Sequence, residues 1–320
     1  MSFIPSAQVD VVKRPQFVEE LVEGTLPLND GEGTPGPITF TSVGWGMTLG
    51  EDIAIETDKL RMLGSYDVEK QLKLGQTITS EITYKPFDFG FAGYGLKKPV
   101  AATVTPPDPT GASPNGTGGV SISILMSALI EGVEKFKIFT GVKFGGCSGE
   151  ITRDGGCTFT LPFECKGVTG WVVEPVWTDG DPTYAPNPTA TSPFTGISGG
   201  ADPLTVATVP LNSTSFSFNV DLGMMNYTPL GQSTFLFRKS MQRNMTVELN
   251  NLVKADNVMI GNVTGYTPQD VEYTFATGKK LLFNDVQFES YVQSKDAGST
   301  EFWTEELSGQ AAGDLTITDT

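Results

Sequence analysis

The fold is decided by the segment Gln76-Thr77-Ile78-Thr79-Ser80-Glu81-Ile82-Thr83-Tyr84. Every second residue from Ile78 to Tyr84 is apolar, apart from Ser80, and the residues between them are polar. Successive side chains of a β-strand point to opposite faces, so this period of two predicts a strand with one buried face. The segment Asn244-Met245-Thr246-Val247-Glu248-Leu249-Asn250 shows the same alternation. A related motif precedes each alternating segment at the same spacing: Leu63-Gly64-Ser65 in one case and Leu230-Gly231-Gln232 in the other. The chain therefore repeats a pattern typical of β structure.

A third pair of segments supports an internal repeat. Phe139-Thr140-Gly141-Val142-Lys143-Phe144 is echoed by Phe283-Asn284-Asp285-Val286-Gln287-Phe288. Three paired segments in one order indicate a tandem duplication, and 320 residues suffice for two domains with cores of their own. The sequence thus predicts an N-terminal arm, a first domain, a Pro- and Gly-rich linker and a second domain, with the limits 1–37, 38–171, 172–211 and 212–320.

The composition favours a globular, mainly β chain and argues against several classes of function. Hydrophobic residues make up 38% and charged residues 18%, with 37 Gly and 21 Pro to form turns. The net charge of −16 opposes ordinary nucleic-acid binding, because acidic surfaces repel phosphates. No apolar run approaches the roughly 20 residues of a membrane span, so we expect no membrane partner. The chain has no histidine, which removes histidine-dependent catalytic triads and histidine-ligated metals.

One short amphipathic helix is expected in each repeat. Helical spacing relates four apolar residues of the first repeat, Leu125, Leu129, Val133 and Phe136. In the second repeat, Thr267-Pro268-Gln269-Asp270 has the features of a helix start, and Gly278 is a suitable end. The predicted fold class is therefore mainly β with one short helix per repeat.

A long polar excursion recurs at the same place in both repeats, at residues 50–75 and 223–243. Loops of this length without clear structure are usually functional or bound to a partner. Both excursions carry charges and apolar anchors, which indicates interaction loops. The candidate contact residues are Asp58, Lys59, Arg61, Leu63, Asp67, Lys70, Leu230, Phe235, Arg238, Lys239 and Arg243.

Three other motifs have simpler explanations than a binding site. Gly145-Gly146-Cys147-Ser148-Gly149 lacks the lysine and the context of a phosphate-binding loop, so we interpret it as a hairpin turn. Asp179-Gly180-Asp181 lacks the remaining ligands of a calcium loop and is interpreted as a linker turn. Cys147, Cys157 and Cys165 lack the paired spacing of a metal site and are interpreted as reduced core thiols. We therefore predict no catalytic residue, no metal and no cofactor.

The order of these features resembles the tail tube (major tail) proteins of long-tailed bacteriophages and related tailed viruses. It runs from a strand through a long loop with a Leu-Gly-Ser centre to the strand at 76–84, then to a helix and a Phe-x-Gly-Val-x-Phe hairpin. The resemblance covers most of residues 38–170 and 212–320. Most members of this family carry one tube domain per chain, whereas this chain resembles the tandem-duplicated form. The resemblance implies two tandem tail-tube-like domains of β-sandwich or β-barrel type.

The resemblance also implies a structural virion protein that is not an enzyme. Trimers of the duplicated domain would form pseudo-hexameric rings around a β-barrel lumen, and the two excursions would stack the rings into a tail tube. The expected partners are other copies of the chain, the tape measure, terminator and baseplate proteins, and double-stranded DNA in transient, non-specific passage. We expect assembly in the host cytoplasm and a final location in the virion tail.

Two other classes of protein remain open from the residues alone. A capsid decoration protein or a tandem β-sandwich adhesin would bind capsids or cells without self-polymerising. A carboxylate-based glycan hydrolase would need two close acids in an aromatic-lined cleft, whereas the four tryptophans are scattered over positions 45, 171, 177 and 303.

Overall fold

A computed structural model gives the architecture of the chain. It describes residues 10–28, 36–49, 52–60, 70–96, 121–152, 156–185, 192–194, 203–227, 237–240, 243–252, 261, 263–294 and 303–319.

The first half of the chain contains ten strands and one short helix in the described residues. They are β1 (Asp10–Glu19), β2 (Thr41–Ser42), β3 (Trp45–Leu49), β4 (Asp52–Leu60), β5 (Lys70–Lys85), α1 (Ala92–Leu96), β6 (Ile122–Ile130), β7 (Val133–Phe144), β8 (Gly146–Thr152), β9 (Gly156–Cys165) and β10 (Gly167–Val168).

The second half contains ten further strands in the described residues. They are β11 (Leu204–Val206), β12 (Val209–Leu211), β13 (Ser213–Asp221), β14 (Met224–Tyr227), β15 (Phe237–Ser240), β16 (Asn244–Leu252), β17 (Gln269–Ala276), β18 (Lys279–Ser294), β19 (Thr304–Ala311) and β20 (Leu315–Asp319). The prediction of a mainly β fold is confirmed.

Hydrogen bonds join eighteen of these strands into one antiparallel sheet, while β14 and β15 form a two-stranded ribbon. The sheet folds over itself because β7 pairs with β6 along most of its length and then with β9 through Lys143 and Phe144. Gly141 has a φ of 65° at this crossing, a conformation that glycine adopts without steric cost. In the second half, β18 makes the same passage from β17 to β19, and Asp285 has a φ of 54° there.

The strand pairing of the first half recurs in the second half. The pair Leu49 and Ile82 recurs 167 positions later in both strands as Phe216 and Leu249. The same shift relates Asp52–Thr79 to Asn219–Thr246, Ile53–Ile78 to Val220–Met245, and Thr57–Lys73 to Met224–Ser240. A register shift follows Glu56 in the first hairpin, and the corresponding break separates β13 from β14 in the second.

The remaining strands repeat with other shifts because their connections differ in length. Ser148 pairs with Thr160 as Val292 pairs with Glu306, which corresponds to shifts of 144 and 146 positions. The connection between β1 and β2 shows the largest difference. In the first half this connection covers residues 20–40. In the second half β11 and β12 take the places of β1 and β2, and the two-residue turn Ala207-Thr208 joins them.

Buried carboxylates hold residues 20–24 against β7. Glu20 accepts a hydrogen bond from the Gly141 N–H at 2.7 Å. Glu23 lies 2.7 Å from the Lys143 ammonium and 3.0 Å from that of Lys166. Burial lowers the pKa of Lys143, and the Glu23 carboxylate opposes that shift. The inserted connection is therefore part of the packed structure.

The two halves meet where β8 pairs with β13, which we call the internal seam. Gly149 lies opposite Phe218, and a Cβ atom on Gly149 would come within 2.2 Å of the Phe218 ring. A Cβ atom on Gly146 would lie 2.1 Å from the Val220 carbonyl oxygen. The interpretation of residues 145–149 as a hairpin turn is therefore wrong. Because these glycines have no side chain, the backbone of β13 can pack directly against β8.

Aromatic side chains from both halves form one core beneath the internal seam. Phe159 of β9 packs edge-on against Phe218 of β13, with ring centroids 5.4 Å apart. Phe89, which follows β5, contacts Phe275 of β17 at 5.3 Å. The Phe89 N–H also donates to the Asp319 carboxylate at 3.0 Å. The halves are thus joined by packing as well as by strand pairing.

Both predicted helices are wrong in position. Leu125, Leu129, Val133 and Phe136 lie on β6 and β7, and a tight turn at Glu131-Gly132 separates the two strands. Both faces of β6 are largely buried, so apolar residues do not alternate with polar ones along this strand. The helical spacing of the four apolar residues is a coincidence. The segment after Thr267-Pro268 forms β17, and Gly278 lies in the hairpin turn before β18.

The expectation of unstructured loops at 50–75 and 223–243 is also wrong in the described residues. Residues 52–60 pair with 70–79 as a β-ribbon, and 224–227 pair with 237–240 as a second ribbon. Interleaved charged residues concealed these strands, because in a charged segment the sequence pattern does not separate a strand from a polar loop.

The segment predicted as a linker packs against both halves where it is described. Phe40 stacks on Tyr184 with centroids 5.4 Å apart, and Phe194 contacts Phe275 at 5.0 Å. Its last residues form β11 and β12, and β11 pairs with β17. The four domain limits stay a prediction.

We predict that Gly149→Ala destabilises the protein by about 1–3 kcal/mol, because the added methyl group must displace the Phe218 ring at a packed junction. Thermal or urea unfolding measures the change. Gly170→Ala is the matched control, since its Cβ atom would meet no atom within 4 Å. Equal stability of the two variants would contradict the close approach at the internal seam.

Candidate assembly surface

A continuous run of eight strand positions crosses both halves, and no other described residue covers one of its two faces. The hydrogen-bonded order is β3 with β4, then β5, β9, β8, β13, β16, β19 and the C-terminal part of β18. Apolar side chains such as Ile82, Phe159 and Val247 point into the core. Because strand side chains alternate, their polar neighbours all emerge on the opposite side, which we call the polar face.

The polar face is made of hydroxyl, amide and carboxylate groups. A transverse row passes from Glu150 through Ser217 to Glu248 and Ser308, each paired with the next across neighbouring strands. The carboxylates of the described strands on this face are Asp52, Glu81, Glu150, Glu164, Asp221, Glu248 and Glu306. Lys85 is the exposed cation among the side chains that the structure places there. The described side chains of this face therefore carry an excess of negative charge.

Two shallow depressions lie on the polar face. The larger has a volume of about 530 Å³ and straddles the internal seam, with Ser148, Glu150, Asn219 and Glu248 among its lining residues. The second has about 290 Å³ and extends towards Val292. Both are open, hydroxyl-rich surfaces, which differ from the enclosed and mainly apolar pockets typical of small-molecule sites.

The polar face ends at two open strand edges in the described residues. One is the outer edge of β3 and β4, which pair with β5. The other is the C-terminal part of β18, which pairs with β19. Each edge exposes an apolar side chain: Ile53 is 44% exposed and Val292 is 49% exposed. Open edges of this kind are templates for pairing with another chain.

The predicted contact residues fall on or near the two ribbons. Asp58 and Lys59 lie in β4, Lys70 begins β5, and Arg238 and Lys239 lie in β15. The structure thus assigns these five residues to strands. Five others lie outside the described residues: Arg61, Leu63, Asp67, Leu230 and Phe235.

Arg243 is the predicted contact residue whose side chain the structure describes. Its guanidinium lies 3.2 Å from the Asp314 carboxylate, and the Asp314 side chain is 73% exposed. Exposed ion pairs of this kind contribute little to stability because water and salt screen them. This ion pair is therefore expected to add little to the stability of the fold, although the Arg243 side chain itself is only 22% exposed.

Sequence reasoning missed the edge residues Ile53, Tyr291 and Val292. The Tyr291 hydroxyl donates to the Glu305 carboxylate at 3.1 Å, and burial together with that carboxylate raises the pKa of Tyr291. The repeat itself carried a usable signal. Shifting Val220, an apolar residue of a predicted strand, back by 167 positions leads to Ile53 within the supposed loop.

The three cysteines are buried in the first half, and burial raises the pKa of the Cys147 and Cys157 thiols. Within the described ranges, no group of three or more acidic or cysteine side chains is placed to hold a metal ion. The helices of the described chain include none that is long and apolar enough to cross a bilayer.

No protein-family model matches the chain, and no curated protein matches it.

We predict that Arg243→Ala changes the free energy of unfolding by less than about 1 kcal/mol, since the Asp314 carboxylate of its ion pair is 73% exposed. Glu23→Gln is the positive control. It leaves the Lys143 ammonium, whose side chain is 3% exposed, without its buried carboxylate and should cost about 3 kcal/mol or more. Chemical denaturation compares the two. A large loss from Arg243→Ala would show that Arg243 supports the fold.

Proposed function

We propose that this chain is a structural virion protein that assembles into the tail tube of a long-tailed virus, without catalytic activity. The observation that carries this proposal is the eight-strand run with an acidic polar face and an open edge on each side. Such a sheet is complete only when further strands are added, and closure into a barrel removes its edges. The repeated strand pairing supports an internal duplication, in which each half contributes four strand positions.

Assembly into a tube would also account for the chemistry of the polar face. Closure with this face inward would line a channel with hydroxyls and carboxylates. Double-stranded DNA carries about one negative charge per 1.7 Å of its axis, so such a wall would repel it and allow passage without adhesion. The net charge of −16 agrees with this arrangement.

A trimer is the proposed ring. Three chains would supply about 24 strands, which at a spacing of about 4.8 Å and a tilt of about 40° give a barrel roughly 50 Å across. Barrels of 16–18 strands already enclose an aqueous channel. Because each chain contributes two similar halves, the ring would be pseudo-hexameric.

The two ribbons are the proposed contacts between successive rings. They occupy corresponding places in the two halves and extend beyond the paired strands of the sheet. The tape measure, terminator and baseplate proteins of the tail are the further proposed partners, and the virion tail is the proposed location.

Negative-stain electron microscopy of the concentrated protein tests this function. We predict hollow rods or stacked rings with a central channel and threefold symmetry. Dispersed monomers at every concentration, even with an added tail initiator complex, would contradict the proposal and favour a decoration protein or adhesin.

A shortened ribbon serves as the control that separates ring formation from stacking. Thr57 and Lys73 are paired, so an Asn-Gly turn in place of residues 58–72 closes the ribbon and keeps the sheet edge intact. We expect this variant to form single rings that do not stack. Rods of normal length would remove the ribbon from the stacking contact.

We predict that charge reversal on the polar face makes the assembled tube retain DNA. The double variant Glu150→Lys with Glu248→Lys replaces two carboxylates beside Ser217 by cations that bind phosphates. Co-sedimentation with linear double-stranded DNA should rise by about tenfold or more at low salt and fall steeply as salt is added. Glu131→Lys with Asp181→Lys makes the same charge change away from this face. Equal retention by both double variants would contradict a lumenal polar face.

A further inference from the structure

The internal seam shows how one half of this chain recognises another. In it, β13 of the second half lies beside β8 of the first, with Asn219 opposite Ser148 and Val220 opposite Cys147. Val220 is 0% exposed and Cys147 is 1% exposed, so the junction buries its apolar side chains completely.

The two open edges are the counterparts of the strands in this junction. The pair Ile53–Ile78 corresponds to Val220–Met245, so the edge at β4 corresponds to β13. The pairings Ser148–Thr160 and Val292–Glu306 correspond in the same way, so the edge at β18 is the counterpart of β8. The chain therefore contains one complete junction and the two complementary parts of a second.

Exposure of apolar side chains distinguishes the open edges from the complete junction. Ile53 takes the place of Val220 in the repeat and is 44% exposed, whereas Val220 is fully buried. On the other edge, Tyr291 takes the place of Cys147 and is only partly buried. Both edges thus present apolar groups at the positions where the internal seam covers them.

The two edges of one chain do not reach each other within the described sheet. Six strands lie between them in hydrogen-bonded order, which at about 4.8 Å per step corresponds to roughly 34 Å along the sheet. A second copy of this chain would carry the complementary edge.

We propose that the β4 edge of one chain pairs antiparallel with the β18 edge of a second copy, in the register of the internal seam. Transferring that register places Asp52 opposite Val292, Ile53 opposite Tyr291 and Ala54 opposite Ser290 of the neighbouring chain. The contact is head-to-tail, and such contacts generate closed rings when the rotation closes. This inference rests on the proposed function for the closure of the ring and adds the residues that make the junction.

Disulfide trapping between two single-cysteine additions tests the register. Chains carrying Asp52→Cys are mixed with chains carrying Val292→Cys, assembled and oxidised, and then separated on a non-reducing gel. Directly opposite residues in antiparallel strands have Cα atoms about 4.5–5.5 Å apart, which suits a disulfide. We expect a covalent dimer of twice the 34.2 kDa chain mass.

A matched control shifts the register by two residues on the same face. Chains with Asp52→Cys are mixed with chains carrying Ser290→Cys, where the diagonal separation of about 7–8 Å exceeds disulfide geometry. The first mixture should give about tenfold more dimer than the second, and either variant alone should give none. Both mutated edges are exposed, and melting temperatures verify that the variants fold.

The outcomes separate this inference from the proposed function. Hollow rods with equal cross-linking in both mixtures, or with more in the control, overturn the proposed register and leave the tube function standing. Selective cross-linking without rods or rings supports the junction and overturns the tube. The absence of both assembly and cross-links overturns the two together.

Discussion

The hydrogen-bonded junction of β8 and β13 is the constraint on which the rest of the structure depends. Seven residue pairs, from Ser215–Thr152 to Asp221–Gly146, join two similar strand arrangements into one sheet. Gly146 and Gly149 make that approach possible because side chains at these positions would collide with β13. The shared aromatic core, the continuous polar face and the positions of the open edges all follow from this single junction.

Alternation along the strands turns that junction into a surface with a defined chemistry. Where the apolar residues of β9, β13 and β16 fill the core, the intervening positions are Thr, Ser, Asn, Asp and Glu, with Pro162 as the exception. A single-residue slip in register would exchange the two sets, so burial of one face fixes the composition of the other. The acidity of the polar face is therefore specified together with the core.

Strands with one buried face could be predicted from the sequence, whereas those with other environments could not. The alternation at 78–84 and 245–250 gave correct strands because one side of each faces solvent. Strand β6 is largely buried on both sides and shows no period of two, whereas in β4 the charged residues conceal a short alternation at Ile53 and Ile55. Propensity and local pattern contain no information about such tertiary surroundings.

The candidate surface was predictable in its general place and not in its residues. The repeat directed attention to the excursions, and the structure shows strands there. The edge residues Ile53 and Val292 stood out only when the strand pairing showed which positions lack a neighbour in the described sheet. Long-range pairing of this kind joins residues far apart in sequence, which local patterns do not encode.

The presence of both halves in one covalent chain has a thermodynamic consequence for any ring built from this chain. Each association of free bodies costs an estimated 4–15 kcal/mol in translational and rotational freedom. In a ring of six separate domains every junction must overcome that cost, whereas here every second junction is completed when the chain folds. Joining two domains in one chain reduces the number of separate molecules in such a ring from six to three. The concentration at which a closed ring becomes stable is therefore lower.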